Sequence, residues 1–152
     1  MQPHRISAGA LVEQDGRILM VRAVKQGAYD FWVAPGGGVQ GEESLVDAAK
    51  REVMEESGIE VDHLRLAYIE ELITPDMRVC KFWFAAKAVG GAIDASAPEA
   101  AQEHITEAAW LSRDQMQDKT VFPSVLQGRF WDDLHGGFHQ VVPLGLRRME
   151  LW

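Results

Sequence analysis

The stretch GGGVQGEESLVDAAKREVMEESGIEV, residues 36–61, decides the fold, and it holds seven acidic residues against two basic ones. Ser44 with Asp47 three places later is a capping-box pattern, so a helix should begin there. Ser57 and Gly58 are typical of a helix end, because glycine adopts the left-handed conformation that closes many helices. The stretch therefore predicts a glycine-rich turn that leads into one acidic helix.

Three glutamates of this helix share one face. Glu52, Glu55 and Glu56 follow the i, i+3, i+4 spacing that makes side chains neighbours. At about 100° per residue, Glu56 falls between Leu45 and Ala49, on the stripe that must face the core. A solvated helix would place its acids opposite the core, and three like charges at this spacing repel one another. We therefore expect a positive group beside them.

Two kinds of positive group fit this pattern. A cluster of carboxylates supplies the hard oxygen ligands that suit Mg²⁺ or Mn²⁺, and no Cys/His set at zinc spacing is present. Alternatively, the carboxylates pair with Lys50 or Arg51 at the surface, as most acidic clusters do. The three preceding glycines favour a ligand, because glycine lets the backbone approach closely and a helix N-terminus attracts anions. A plain strand-to-helix connection is the simpler interpretation of the glycines.

The composition of the 152-residue chain, 47% hydrophobic and 25% charged, is that of one globular domain with a core. The net charge of −8 argues against binding a nucleic-acid polymer. Cys80 is the single cysteine, which excludes an intrachain disulfide and favours a reducing compartment. The first residues lack the apolar core of a signal peptide, and no run is long enough to span a membrane. These features predict a cytoplasmic protein without a membrane partner.

Strands and helices alternate along the rest of the chain. The patterns predict a hairpin over 5–24, strands over 64–73, 78–89 and 105–111, a loop over 90–102, a short helix over 112–119 and a terminal helix over 124–134 with Gly136 just past its end. This mixture predicts a layered α/β or α+β fold.

Taken together, the residues of the acidic helix and its turn resemble the Nudix box, G-x5-E-x7-R-E-U-x-E-E-x-G-U, where U is aliphatic. All nine specified positions occur over the 23 residues 37–59: Gly37, Glu43, Arg51, Glu52, Val53, Glu55, Glu56, Gly58 and Ile59. Trp32 and Pro35 before the box and ITEAAWL after it also resemble the family. The resemblance covers about residues 5–119, and the C-terminal helix and tail, 121–152, are less diagnostic. It implies an α/β fold, the Nudix-type α/β/α sandwich with a mixed β-sheet, as a single domain over residues 1–152.

The resemblance also implies the chemistry, which is hydrolysis of a pyrophosphate bond in a nucleoside diphosphate linked to another group. It implies Mg²⁺ or Mn²⁺ held by Glu52, Glu55, Glu56 and Gly36. Divalent ions would neutralise the phosphates and acidify the attacking water, and a nearby carboxylate would take the proton. Glu52 is the first candidate for that base, although family members differ on which glutamate serves, so Glu55 stays a catalytic candidate.

The resemblance assigns supporting roles to other residues. Arg51 would pair with Glu43 and steady the turn between Gly37 and the helix that ends at Gly58. Relatives often take a further ligand or base from a later loop, where Glu103 is best placed and Glu99 and Glu107 are rivals.

The substrate is open at this stage, since the box does not choose it. Pro75 stands 16 residues after Ile59, close to a proline that in the family accompanies ADP-ribose-type substrates, although a Thr-Pro-Asp turn favours proline in any case. Basic side chains on predicted strands could reach phosphates: Arg5, Arg22, Arg78 and Lys81. Aromatic side chains could stack on a base or belong to the core: Trp32, Phe82, Trp83, Phe84 and Trp110. Among all of these, Arg22, Arg78 and Trp83 are our candidates for substrate binding.

Three functions remain in competition. The first is hydrolysis of a small nucleoside diphosphate derivative such as ADP-ribose or a nucleotide sugar. The second is hydrolysis of (d)NTPs or oxidised nucleotides with release of pyrophosphate. The third is a catalytically idle Nudix domain that senses a nucleotide. An apolar C-terminal set either packs on the domain or forms a homodimer contact: Phe122, Phe130, Trp131, Phe138 and Trp152.

Overall fold

The computed structural model describes residues 2–149. Its strands are β1 (His4–Gln14), β2 (Arg17–Lys25), β3 (Tyr29–Val33), β4 (Gly36–Gly38), β5 (Ile59–Ile73), β6 (Arg78–Gly91), β7 (Ile105–Ser112), β8 (Val121–Phe122) and β9 (Val142–Arg148). Its helices are α1 (Leu45–Ser57), α2 (Pro98–Gln102), α3 (Arg113–Met116), a 3₁₀ helix (Ser124–Gln127) and α4 (Phe130–Gly136). None of these helices is both long and apolar enough to cross a membrane.

The strands described form one mixed sheet in the order β8-β3-β2-β1-β6-β5-β9, with β4 also paired to β1 and β7 to β2. The predicted hairpin of β1 and β2 is present, but its register joins only Glu13 to Ile18 and Gln14 to Arg17. Before that point β1 leaves β2 and pairs in parallel with β6. The sheet therefore divides into two halves that share β1, and a cleft lies where they diverge.

Helices cover both faces of the half that contains β1, β6 and β5. Alternate residues of β1 point to α1, where Ala10 and Val12 pack with Val53. Leu11 points the other way and packs in the cluster that contains Phe130 of α4. Because side chains alternate across a strand, one strand supplies two cores. The predicted α/β/α sandwich with a mixed sheet is confirmed.

Helix α1 begins and ends where the sequence predicted. The Ser44 hydroxyl accepts a hydrogen bond from the Asp47 N–H at 3.1 Å. Gly58 ends the helix with φ of 76°, and a Cβ there would lie 2.4 Å from the Ala92 carbonyl oxygen. Glycine is therefore required at the C-cap for both its conformation and its size.

The glycine-rich turn and the segment after α1 differ from prediction. Gly36–Gly38 is a short strand that pairs with β1, with Ser7 opposite Gly38, because the glycines allow two backbones to meet closely. β5 begins at Ile59 directly after the C-cap and not near residue 64. The predicted loop over 90–102 contains the end of β6 and the short helix α2.

The prediction of one helix over 124–134 is wrong. The structure has a 3₁₀ helix, a break at Gly128 and then α4, which ends at the left-handed Gly137. β9 was not predicted, because it contains Pro143 and Gly145, and proline and glycine are uncommon in strands. Among the strands of residues 2–149 it pairs only with β5, and such an edge strand tolerates a proline.

The C-terminal aromatic residues that the structure describes pack on the domain. Phe130 is fully buried, and its ring lies 5.4 Å from that of Trp131 and 5.6 Å from that of Phe138. The predicted role of Trp152 lies outside the described residues. A homodimer contact stays a prediction.

Candidate active site

Two buried carboxylates of α1 face the glycine strand β4. Glu52 is 8% exposed and Glu56 is 3% exposed. The Gly36 N–H donates a hydrogen bond to Glu56 Oε1 at 2.8 Å. A Cβ on Gly37 would lie 2.6 Å from the Glu52 carboxylate. The glycines therefore leave the space that the carboxylates occupy, and the structure places Glu56 at the margin of the core, as its helical angle predicts.

Arg51 joins the helix to the turn before it. Its guanidinium donates to both oxygens of Glu43, at 2.7 and 3.1 Å, and to the Gly38 carbonyl at 3.0 Å. The same guanidinium donates to Glu52 at 3.0 Å and to Glu55 at 3.1 Å. Because a planar guanidinium has five N–H donors in fixed directions, Arg51 sets the positions of three carboxylates at once.

Burial destabilises the ionised form of the carboxylates in this region. It raises the pKa of Glu52, although the neighbouring Arg51 acts in the opposite direction. Burial and then the charge of Glu52 hold the pKa of Glu56 well above its usual range. A carboxylate that is buried beside other carboxylates is stabilised by a nearby cation. The electrostatics therefore favour cation binding at this face of α1.

The donor chemistry of these residues suits a hard divalent cation. Glu52, Glu55 and Glu56 offer carboxylate oxygens, and Gly36 offers a backbone carbonyl, which are the ligand types that Mg²⁺ prefers. Within residues 2–149, no three His, Cys, Asp or Glu side chains are already arranged around one metal position. Arg51 explains why these described carboxylates do not converge on one point, since its guanidinium holds Glu52 and Glu55 by hydrogen bonds. The residues fit such a cation once those two hydrogen bonds are exchanged.

A cleft of about 220 Å³ opens beside Gly36, Gly37 and Glu56. Glu103 and His104, which follow α2, form another part of its lining. His104 has a left-handed φ of 60°, so the chain turns sharply there before β7. This end of the cleft is polar and adjoins the carboxylates of α1.

The remaining lining of the cleft comes from strands. Tyr29, Phe31 and Val33 of β3 share one face by strand alternation and line one wall, and the opposite wall includes Leu72 and Val79. Two cations also line it, Arg5 and the buried Lys81. The site therefore combines a polar mouth with a mostly apolar pocket, as small-molecule sites commonly do.

The NUDIX domain model matches residues 3–127 of the chain. The chain belongs to the Nudix hydrolase family. A MutT-like protein of Streptomyces ambofaciens is 30% identical over 134 residues, which are 88% of this chain and 79% of that protein. The 8-oxo-dGDP phosphatase NUDT18 of Danio rerio is 34% identical over 96 residues, which are 63% of this chain but only 28% of that protein.

Solved structures give the same result. A NUDIX hydrolase from Nitrosomonas europaea superposes with a TM-score of 0.72 at 27% identity, covering 90% of this chain and 91% of that one. This Nudix hydrolase therefore shares its fold with that structure.

The structure distinguishes between the three candidates for an additional carboxylate after α1. Glu103 lines the cleft of the Nudix hydrolase. Glu107 is exposed and lies 3.5 Å from Arg22, and Glu99 is exposed on α2. Neither Glu99 nor Glu107 is among the described residues that line the cleft. The geometry thus favours Glu103 as the additional carboxylate.

The three substrate-binding candidates lie elsewhere. Trp83 has no exposed surface, and its Nε1–H donates to Glu70 at 3.0 Å, so its ring cannot stack on a base. Arg22 is bound by Asp30 at 2.7 Å, and Arg78 by Glu71 at 2.6 Å. The prediction for Trp83 is wrong because the alternation of β6 points it into the core, beneath Gly9. Neither arginine lines the cleft among the residues described.

Tyr29 and His104 line the cleft but were missed in the sequence. Alternation over 29–33 carried the signal for Tyr29, since it shares a strand face with Phe31 and Val33. No local pattern indicated His104, which reaches the cleft through the loop between α2 and β7.

Proposed function

We propose that this Nudix hydrolase cleaves a pyrophosphate bond in a small nucleoside diphosphate derivative, with Mg²⁺ or Mn²⁺ held by Glu52, Glu55, Glu56 and Gly36. The observation that carries the proposal is the position of two buried carboxylates against β4, where one of them, Glu56, also lines an apolar cleft. A pyrophosphate needs positive charge at the mouth of the cleft, and a nucleoside needs apolar walls beyond it. We further propose that residues 1–152 act as one domain.

The chain's own residues divide the chemistry between them. When bound, the cation would neutralise phosphate charge and lower the pKa of a coordinated water. Glu52 is the proposed base, because burial raises its pKa and thus its proton affinity. Glu103, across the cleft mouth, is the candidate for a second carboxylate beside the reacting phosphate. Arg51 and Glu43 hold the turn and keep Glu52 in place.

The leading substrate class is a nucleoside diphosphate linked to a further group, such as a nucleotide sugar or ADP-ribose. The turn that contains Pro75 supports this class, because its neighbours Thr74, Asp76 and Met77 line the cleft. A group attached to the diphosphate could therefore contact this turn. The position of this turn beside the cleft is a second reason to propose this substrate class, besides the similarity of Pro75 to the family's proline.

A second class is favoured by a specific relative. The NUDT18 protein of Danio rerio is named an 8-oxo-dGDP phosphatase and is 34% identical over the matched residues. Oxidised nucleoside diphosphates or triphosphates are therefore the alternative substrates, with a nucleoside monophosphate as the common product.

A turnover screen with Mg²⁺ tests the proposal. ADP-ribose, nucleotide sugars, 8-oxo-dGDP and the (d)NTPs would be compared, with the products resolved by chromatography. Release of a nucleoside monophosphate and a sugar phosphate would support the first class. Release of phosphate or pyrophosphate from a nucleotide would support the second. No turnover of any compound with Mg²⁺ or Mn²⁺, while a known Nudix hydrolase is active in the same assay, would contradict the proposal.

A further inference from the structure

Lys81 is the one basic side chain among residues 2–149 that is buried, with 6% of its surface exposed. A lysine is seldom buried without a specific role, because its ammonium group loses hydration. Lys81 also lines the cleft. Its Nζ therefore presents a positive charge to the interior of the substrate pocket.

The surroundings of Lys81 fix its position. β6 pairs Lys81 with Ser7 of β1 on one side and with Glu70 of β5 on the other. Its Nζ lies 4.4 Å from the centre of the Trp83 ring. The same tryptophan donates to Glu70 Oε1, which also lies 3.6 Å from Arg147. A central strand and a fixed aromatic ring thus hold the ammonium group in place.

Two carboxylates, Glu70 and Glu56, lie near enough to Lys81 to favour its charged form. Burial lowers the pKa of Lys81, while Glu70 and Glu56 act in the opposite direction. A charged ammonium group has three N–H donors and no acceptor. Any group that meets it in the cleft must therefore supply an acceptor atom.

The two ends of the cleft decide which part of a substrate meets Lys81. Phosphates belong at the mouth, beside Glu56 and the cation that the carboxylates of α1 would hold. The apolar walls formed by Tyr29, Phe31 and Leu72 suit a flat ring, because aromatic side chains stack on nucleobases. Lys81 shares one face of β6 with Val79, which lines the apolar part of the cleft, so we assign Lys81 to the ring edge of the base.

We propose that Lys81 is a specificity-determining residue that donates a hydrogen bond to a carbonyl oxygen of the nucleobase. This proposal rests on the proposed function, since it assigns the base of that substrate, and within the proposed class it favours guanine and uracil nucleotide sugars over ADP-ribose. Guanine and uracil present such an oxygen at the ring edge. Adenine presents an amino group there, which would meet a donor with a donor and leave both unpaired. A site built for one hydrogen-bonding pattern rejects the analogue that lacks it.

Binding of nucleoside monophosphates tests this proposal without hydrolysis. GMP, UMP and AMP carry the same phosphate and no pyrophosphate bond, so calorimetry with Mg²⁺ present would measure each Kd. Wild-type protein should bind GMP and UMP at least about tenfold more tightly than AMP, as one hydrogen bond to a charged group predicts. Equal affinity for the three, or no binding of any, would overturn the proposal even before a variant is made.

Lys81→Met removes the charge and keeps the length of the side chain. It should abolish the preference for GMP and UMP while leaving the AMP affinity within about threefold of wild type, because only the hydrogen bond to the carbonyl oxygen is lost. Lys87→Met, at an exposed position of the same strand, is the matched control and should keep the preference. An equal loss of affinity for all three nucleotides would assign Lys81 to the phosphate and contradict the proposal.

This experiment separates the two proposals. A protein that binds GMP more tightly than AMP through Lys81 but hydrolyses nothing would contradict the proposed function alone. A protein that hydrolyses ADP-ribose as well as guanine and uracil derivatives would contradict the role of Lys81 alone.

Discussion

Helices α1 and α4 cover opposite faces of the same sheet and differ in what they bury. α1 places the carboxylates of Glu52 and Glu56 against β4. α4 places the fully buried ring of Phe130 in the core, and its Asp133 accepts a hydrogen bond from the Tyr68 hydroxyl of the sheet at 2.5 Å. Buried charge lowers stability unless it is compensated, whereas buried rings raise it. The α1 face is thus built for chemistry, and the α4 face is built for stability.

This contrast predicts that substitutions on the two faces change different measurable quantities. Changes on the α1 face should alter turnover with little loss of stability. Changes on the α4 face should alter the free energy of unfolding with little change in turnover by the folded protein.

The largest expected effect is on the α1 face. Glu52→Gln keeps the shape of the side chain and removes its charge, so kcat should fall about a thousandfold, as loss of a general base does. The melting temperature should stay level or rise, because a buried like charge is removed. Steady-state kinetics and thermal unfolding would measure both quantities.

Glu42→Gln, at an exposed position before the helix, is the control and should leave both quantities unchanged. Normal turnover by Glu52→Gln would show that Glu52 is not the base, and Glu55 and Glu103 would then be the candidates.

On the α4 face, Phe130→Ala should lower the free energy of unfolding by about 3 kcal/mol or more, because it leaves a cavity in the core. Urea unfolding would measure this loss. The turnover per folded molecule should stay within about twofold of wild type, since Phe130 is not among the described residues that line the cleft. Val141→Ala, at a residue that is 45% exposed, should change stability by less than about 0.5 kcal/mol.

A smaller effect should come from Gly37→Ala. Its new Cβ would lie 2.6 Å from the Glu52 carboxylate, so the carboxylate must move and kcat should fall about tenfold or more. Gly136→Ala is a matched control on the α4 face, because nothing lies within 4 Å of its Cβ position. If both glycine variants kept full activity, the close fit between Gly37 and Glu52 would have no catalytic importance.

The smallest effect should depend on pH. Arg129 and then Tyr68 hold the pKa of Asp133 below its ordinary value of 3.8. A carboxyl whose pKa is lowered on folding adds stability at pH values above that ordinary value, and the gain is lost as the pH falls through the lowered value. Asp133→Asn should therefore be about 1 kcal/mol less stable than wild type at pH 7, and this difference should shrink below about pH 4.

Urea unfolding at several pH values would measure this difference, with the exposed Asp132→Asn as the control. A stability difference between Asp133→Asn and wild type that stays constant from pH 7 to pH 3 would show that the charge of Asp133 is unimportant.

The contrast also separates what the sequence could predict from what it could not. The bounds of α1 were predicted because Ser44 and Gly58 act on the backbone locally. The box residues meet in space because helix periodicity and one short turn bring them together. Both features are set by neighbours in the chain, so a pattern in the sequence reports them.

Features that depend on distant pairing were not predictable in the same way. β9 is a strand only because β5 offers it an edge, and its own proline and glycine indicate otherwise. The inward position of Trp83 depends on how β6 pairs with β1 beside Gly9. The breaking of the C-terminal helix at Gly128 was visible as a glycine, but the apolar stripe around it favoured one continuous helix.

The central claim is that the carboxylates on the α1 face form a divalent cation site. Titration of Mn²⁺ followed by electron paramagnetic resonance tests it most directly, with wild type, Glu56→Gln and Glu42→Gln compared. The account predicts saturable Mn²⁺ binding by wild type and by Glu42→Gln, and binding weakened at least about tenfold in Glu56→Gln, as loss of a ligand charge should give. Equal Mn²⁺ affinity in all three proteins would contradict it.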